Sequence, residues 1–225
     1  MVLSTARCYM ARQATVCSNA RQRLLHRRNS ITPRAVVGLG MGAIACIPQR
    51  SASISYFEID AGIEDLAKQY FTYLHECPAK IVIGDARMTL AADKNYYDLL
   101  ILDAFSSDAI PVHLLTKEMF KVYEERLDRN GALVLHISNR YLNLRHVFAG
   151  AAQQLHWHGA IKDYVPDTTA ANLTSNEYAV LSPDAKVVQK LLDKGGWTSL
   201  DEVSRLFWTD DQISIVPILN FGFGR

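Results

Sequence analysis

No aspartate, glutamate or lysine occurs in the first 57 residues, whereas Arg7, Arg12, Arg21, Arg23, Arg27, Arg28 and Arg34 all fall in the first 34. An acid-free, Arg- and Ser-bearing start fits a disordered or partly helical tail, or a mitochondrial transit peptide. It has few aromatic residues on which bases could stack, which disfavours a nucleic-acid arm. The whole chain also lacks a charge excess, with 24 Lys and Arg against 23 Asp and Glu. Nothing therefore draws it generally toward nucleic acid or acidic membranes. Cysteine is scarce: Cys8, Cys17, Cys46 and Cys77 form no CxxC pair and lack the even spacing of a small secreted scaffold. All four are expected as reduced thiols in an intracellular protein, cytoplasmic unless the basic start is a transit peptide, in which case mitochondrial. No apolar run approaches the length of a bilayer crossing, so no stable membrane insertion is expected.

What the chain does have is alternation. Its 225 residues, 49% of them hydrophobic, suffice for one sizeable core. Past Pro33, short β-rich apolar runs alternate with longer amphipathic stretches, which argues for βαβ units and a parallel sheet. Strands are expected near residues 35–38, 53–58, 80–83, 98–103, 131–137, 160–165 and 177–182. The stretch IEDLAKQYFTYL predicts one helix with Ile63, Leu66, Ala67, Tyr70 and Leu74 on a single face. TKEMFKVYEERL predicts another, gathering Met119, Phe120, Tyr123 and Leu127, with Thr116 as N-cap and Asn130-Gly131 as its stop. The division is a basic segment over residues 1–34 and one α/β domain over 35–225.

Nucleotide-type ligands bind such sheets beyond the carboxyl ends of the strands, and four motifs fall there. AVVGLGMGAIA places Gly38, Gly40 and Gly42 directly after the first strand, where the backbone can turn tightly and admit a ligand. ISYFEID ends the next strand on Glu58, a carboxylate able to accept both hydroxyls of a ribose. Gly38, Gly40 and Ala43 also satisfy a dinucleotide fingerprint, so a nicotinamide or flavin cofactor stays open at this point. IVIGDARMTL adds Asp85 and Ala86 at a third strand end, where a carboxylate could meet an exocyclic adenine amino group, a feature the dinucleotide pattern does not ask for. The fourth motif is DLLILDAFSSDAIPVHLLT, in which Asp103 follows the apolar run Leu99–Leu102 and Asp108 lies five residues on.

These runs, with NGALVLHISNRYLNL and FWTDD, resemble the spermidine synthase-like family, and in particular bacterial domains fused to a membrane transporter. The resemblance spans about residues 35–219. It implies a Rossmann-like class I methyltransferase fold: a mostly parallel seven-stranded sheet with helices on both faces. It further implies that Gly38, Gly40 and Gly42 line the methionine-derived end of decarboxylated S-adenosylmethionine or S-adenosylmethionine, that Glu58 holds the ribose, and that Asp85 and Ala86 meet the adenine. Asp103 would be the catalytic aspartate that helps to deprotonate an attacking amine such as putrescine, and Asp108 would bind the amine. Polyamine synthases carry their second loop aspartate three residues after the first, where this chain has Ser106. Such synthases also begin with a β-hairpin domain that completes the amine site, and the 34 residues before the first expected strand show no strand alternation. Two other readings therefore stand beside aminopropyl transfer: an S-adenosylmethionine-dependent methyltransferase, and a non-catalytic nucleoside-binding or scaffolding remnant. The family resemblance leaves a homodimer open.

The remaining polar groups read as structural. His156-Trp157-His158 lacks a nearby third ligand, so no metal is expected. His113 and His136 read as satisfied structural histidines. Asn139, Arg140 and Tyr141 would stand at the cleft mouth, meeting a substrate or capping the next helix. Asp210 and Asp211 read as a solvated turn.

Overall fold

The computed structural model describes residues 32–46, 52–104, 111–164 and 176–220. The basic segment up to residue 31 and Asp108 lie outside these residues. Strands β1 (Thr32–Val37), β2 (Ala52–Glu58), β3 (Lys80–Ile83), β4 (Tyr97–Leu102), β5 (Leu127–His136), β6 (His158–Tyr164) and β7 (Asn176–Ser182) follow the seven expected runs, and a two-residue β8 (Thr198–Ser199) makes an eighth. The sheet order is β3-β2-β1-β4-β5-β7-β6-β8. Strands β1 to β5 pair in parallel, whereas β7 runs antiparallel to β5 and β6. The order reverses between β1 and β4, and that crevice is where such sheets take ligands.

Alternation along each strand feeds two separate cores, one per face, as the two-residue strand period requires. Val37, Phe57, Leu100, Leu102, Leu133 and Leu135 pack with α3 (Ala86–Ala92), α4 (Lys117–Arg126) and α5 (Arg145–Leu155). Val36, Tyr56, Leu99, Ile101 and Val134 pack with the 3-10 turn Ala43–Cys46, α1 (Ala61–Tyr70), α2 (Tyr73–Glu76) and α6 (Ala185–Leu192). Both faces being covered explains why β4 reads as an unbroken apolar run.

Three local expectations are corrected. The helix expected through IEDLAKQYFTYL breaks at Phe71, whose extended backbone ends α1, and a second short helix follows. In the first helix the side bearing Ile63 and Ala67 faces the core, which leaves Leu66 and Tyr70 on the exposed side, and the second helix turns Leu74 inward. Asn130-Gly131 does not stop α4, which ends at Arg126. Pairing of β5 with β4 instead jumps from Leu127 to Ala132, so these residues belong to an irregularity that lets the strand leave the helix directly. The cysteines are not all free thiols: Cys46 and Cys77 form a disulfide. Close packing of the 3-10 turn on α2 brings their Cα atoms to 5.3 Å, within bonding reach, across 31 residues that no local motif joins. One support for the reduced-compartment reading falls with it. Cys8 and Cys17 lie outside the described residues.

No described helix is long and apolar enough to cross a membrane.

Candidate functional site

One row of the sheet assembles the site. Phe57, Val37, Leu102 and Leu135 stand in register across β2, β1, β4 and β5, so the residue after each, Glu58, Gly38, Asp103 and His136, falls in the next row at the carboxyl edge. Backbone hydrogen bonds carry the ladder into that row: Gly38 N–H donates to the Phe57 carbonyl and Asp103 N–H to the Val37 carbonyl, each at 2.9 Å. A parallel ladder thus sets side by side residues that are up to 98 positions apart in the chain.

Gly38 has a packing reason of its own. Its φ is +95°, and a Cβ there would stand 2.3 Å from the Asp103 carbonyl oxygen, so only glycine lets β1 and β4 close at this point. Gly40 and Gly42 also take positive φ, at 51° and 76°. The buried Tyr56 hydroxyl, its pKa pushed up by burial, donates to the Gly42 carbonyl at 3.1 Å and braces the turn from below.

Glu58 is buried, and its carboxylate cross-braces the same turn. Oε2 accepts the Leu39 N–H at 2.8 Å and Oε1 accepts the Asp60 N–H at 3.1 Å. A carboxylate offers about four lone-pair positions, so one on each oxygen remains for a paired donor such as a ribose diol. Ile59, next in the chain, leaves its side chain 68% exposed, an apolar surface beside that carboxylate. Asp85 caps α3, its Oδ1 accepting the Arg87 N–H at 2.8 Å, while Oδ2 lies 3.6 Å from Nε2 of the exposed His113. Ala86, the first residue of α3, is buried beneath it. Carboxylates so placed can accept hydrogen bonds from a ligand's hydroxyl or amino groups, and the glycine turn contributes no cationic side chain.

Asp103 is held differently. Its Oδ1 lies 3.0 Å from His136 Nδ1, and His136 Nε2 lies 2.8 Å from Ser138 Oγ, which accepts the Glu177 N–H at 2.7 Å. The His136 ring is buried and stacks on Tyr178, its registered partner on β7, with centroids 5.2 Å apart. The Glu177 carboxylate is in turn gripped by Arg145, which reaches Asp163 as well. His136 is thus satisfied, as expected of a structural histidine, and one of the partners that satisfy it is Asp103. The signal was available, since LLILD and LVLH each end an apolar run on a polar residue and adjacent parallel strands align such ends.

Asp210 and Asp211 lie in an exposed bend closed by hydrogen bonds between Thr209 and Gln212, as expected of a solvated turn, but Asp210 also clasps a distant helix. Both its oxygens receive the Arg87 guanidinium, Thr116 Oγ1 donates to it at 2.8 Å, and its own N–H donates to Glu118. Arg87 therefore holds the Asp210 carboxyl below the usual carboxylate range. Thr116 occupies the N-cap position as expected, but its hydroxyl serves this clasp instead of a helical N–H. The terminal segment lies so close to α5 that a Cβ on Gly150 would meet the Leu206 carbonyl at 2.0 Å.

Of the other candidates, Asn139 Oδ1 accepts the N–H groups of Tyr141 and Leu142, and Asn143, not Asn139, receives the first α5 N–H. Tyr141 is exposed. His156 ends α5 in the left-handed conformation, Trp157 is buried, and His158 opens β6. Among the described residues no group of three or more His, Cys, Asp or Glu side chains could hold a metal ion.

No family model matches the chain. It is similar to the polyamine aminopropyltransferase of Vibrio vulnificus, 29% identical over 105 residues, 44% of this chain and 35% of that protein. The match thus spans about a third of the curated relative's length. The fold is similar to that of a "probable spermidine synthase" from Corynebacterium glutamicum, with a TM-score of 0.61, 16% identity and coverage of 92% of this chain and 79% of the other. It is also similar to human methyltransferase-like protein 13 in complex with SAH, with a TM-score of 0.51, 19% identity and coverage of 81% and 86%. The two structural likenesses show a fold shared with a probable spermidine synthase and a methyltransferase-like protein.

Proposed function

We propose that the chain is a transferase of the spermidine synthase-like type, moving an aminopropyl or related group from decarboxylated S-adenosylmethionine to a primary amine such as putrescine. The observation that carries this reading is the shared row: Glu58, suited to a ribose, and Asp103, suited to an amine, flank Gly38 at the crevice between β1 and β4. Glu58 would hold the ribose, Asp85 and Ala86 the adenine edge, and the turn through Gly38, Gly40 and Gly42 the thioether end. When bound, the donor supplies a carbon activated by an adjoining sulfonium. A primary amine attacks only as its neutral form and arrives as a cation, so the Asp103 carboxylate both attracts it and takes its proton. As the new N–C bond forms and the C–S bond breaks, the bonding pair leaves with sulfur as a neutral thioether, and no acid is needed. Positioning and electrostatics then carry most of the rate. The role of Asp108 as an amine contact belongs to this reading as well.

The test is calorimetric binding of 5′-methylthioadenosine, S-adenosylmethionine, decarboxylated S-adenosylmethionine and NAD, with transfer to putrescine followed by methylthioadenosine release. Methylthioadenosine and the decarboxylated donor should bind, Glu58→Ala should weaken both at least tenfold, and Asp103→Ala should leave binding intact while abolishing release. Preference for intact S-adenosylmethionine would favour a methyltransferase, and binding of no nucleoside would favour a scaffold.

A further inference from the structure

We infer that His136 is the positioning residue of Asp103, locked in one tautomer by Ser138 so that a single carboxylate oxygen is presented to the amine; the inference rests on the aminopropyl-transfer reading. The lock begins at a group that can act in one sense only. The Glu177 backbone N–H donates, so Ser138 Oγ accepts it at 2.7 Å. Ser138 then has one proton of its own, and His136 Nε2 stands 2.8 Å away. If that proton points to Nε2, the neutral imidazole carries its proton on Nδ1, aimed at Asp103 Oδ1 over 3.0 Å. The opposite tautomer would set a bare Nδ1 lone pair against a carboxylate oxygen, which is repulsive. Only the first arrangement places a proton in all three gaps with the ring uncharged.

The ring has little freedom to depart from it. His136 closes the regular part of β5, is 8% exposed, and is stacked on Tyr178. Its serine anchor is held at the start of β7, where Arg145 grips the Glu177 side chain. Oδ1 of Asp103 is thereby engaged, and Oδ2, which accepts no hydrogen bond from the described residues, is the oxygen assigned to take the amine proton. Orienting the acceptor oxygen before the substrate arrives removes a rotation that would otherwise be frozen during the reaction, and a misplacement of about 1 Å at such a group can cost on the order of 100-fold in rate. Glu58 and Asp85 need no such device, because backbone N–H groups fix them.

Two substitutions at one position separate positioning from packing. His136→Phe keeps a ring against Tyr178 and removes the donor. His136→Asn keeps a donor near the Nδ1 position and removes the stack. The expected result is a fall of roughly 10- to 100-fold in kcat for His136→Phe, with donor KM and methylthioadenosine affinity within about twofold of wild type. His136→Asn should recover kcat to within several-fold. Ser138→Ala, which leaves the ring untouched, should fall in between and covers the case in which His136→Phe does not fold. Unchanged kcat in His136→Phe and Ser138→Ala, or a loss in His136→Asn equal to that in His136→Phe, overturns the inference while the transfer reading stands. Nucleoside binding by wild type without transfer to any amine overturns both.

Discussion

The two sides of the crevice hold their carboxylates by opposite means. On the β2 and β3 side, Glu58 and Asp85 receive backbone N–H groups, two from the chain around the glycine turn and strand end and one from the first turn of α3. On the β4 side, Asp103 is held by a side chain from β5, itself held by a serine and by β7. Backbone-held groups take their orientation from the strand ends themselves, whereas Asp103 takes its orientation from the hydrogen bonds and packing of a neighbouring side chain. A binding function tolerates the first kind of rigidity, and proton transfer benefits from the second, since its orientation can be set independently of the nucleoside.

The largest expected effect breaks the comparison on the reactive side. Asp103→Asn keeps the shape and removes the base, so transfer to putrescine should fall about 10²- to 10⁴-fold, or roughly 3–5 kcal/mol in barrier, with methylthioadenosine affinity within about twofold. Steady-state rates set beside calorimetry check it, and a parallel loss of nucleoside affinity would mean the two sides are not separable. Gly38→Ala strikes the point where the sides touch. A Cβ set 2.3 Å from the Asp103 carbonyl oxygen at a φ of +95° should cost about 2–4 kcal/mol and impair binding and transfer together, read as a lowered urea midpoint and a weaker nucleoside isotherm. The smallest effect sharpens the nucleoside side. Asp210 grips Arg87, in the first turn of the helix that Asp85 caps. Its folded-state pKa is depressed by Arg87, so its contribution to stability is present above the ordinary carboxylate range and lost as pH falls through the folded value. Asp210→Asn should therefore flatten the acid limb of stability at and below the ordinary carboxylate range and leave transfer at neutral pH nearly unchanged, as denaturation midpoints followed into acid would show.

How much of this the sequence discloses depends on the range of each contact. Strands were legible because burial on both faces writes unbroken apolar runs such as Leu99–Leu102, and turns because glycine and a strand-end acid follow them directly. The break at Phe71 was not, since apolar side chains occur on both sides of IEDLAKQYFTYL and periodicity alone does not say which side meets the sheet. The partners of Asp103 and Asp210 lie 33 and 123 residues away, and the cysteine bridge joins residues 31 apart. Nothing local marks such pairs. For His136 the register of parallel strands would have supplied the missing step, because one aligned row is enough to place it beside Asp103.

The bridge between Cys46 and Cys77 closes a ring of chain that contains all of β2 and α1, and with them Glu58. A protease that cuts once anywhere inside this ring leaves a single covalent molecule, whose two pieces separate on a denaturing gel only after reduction. Glu58 therefore stays tethered to both flanks of the fold after a nick, whereas a nick between Asp103 and α4, outside the ring, severs Asp103 from His136.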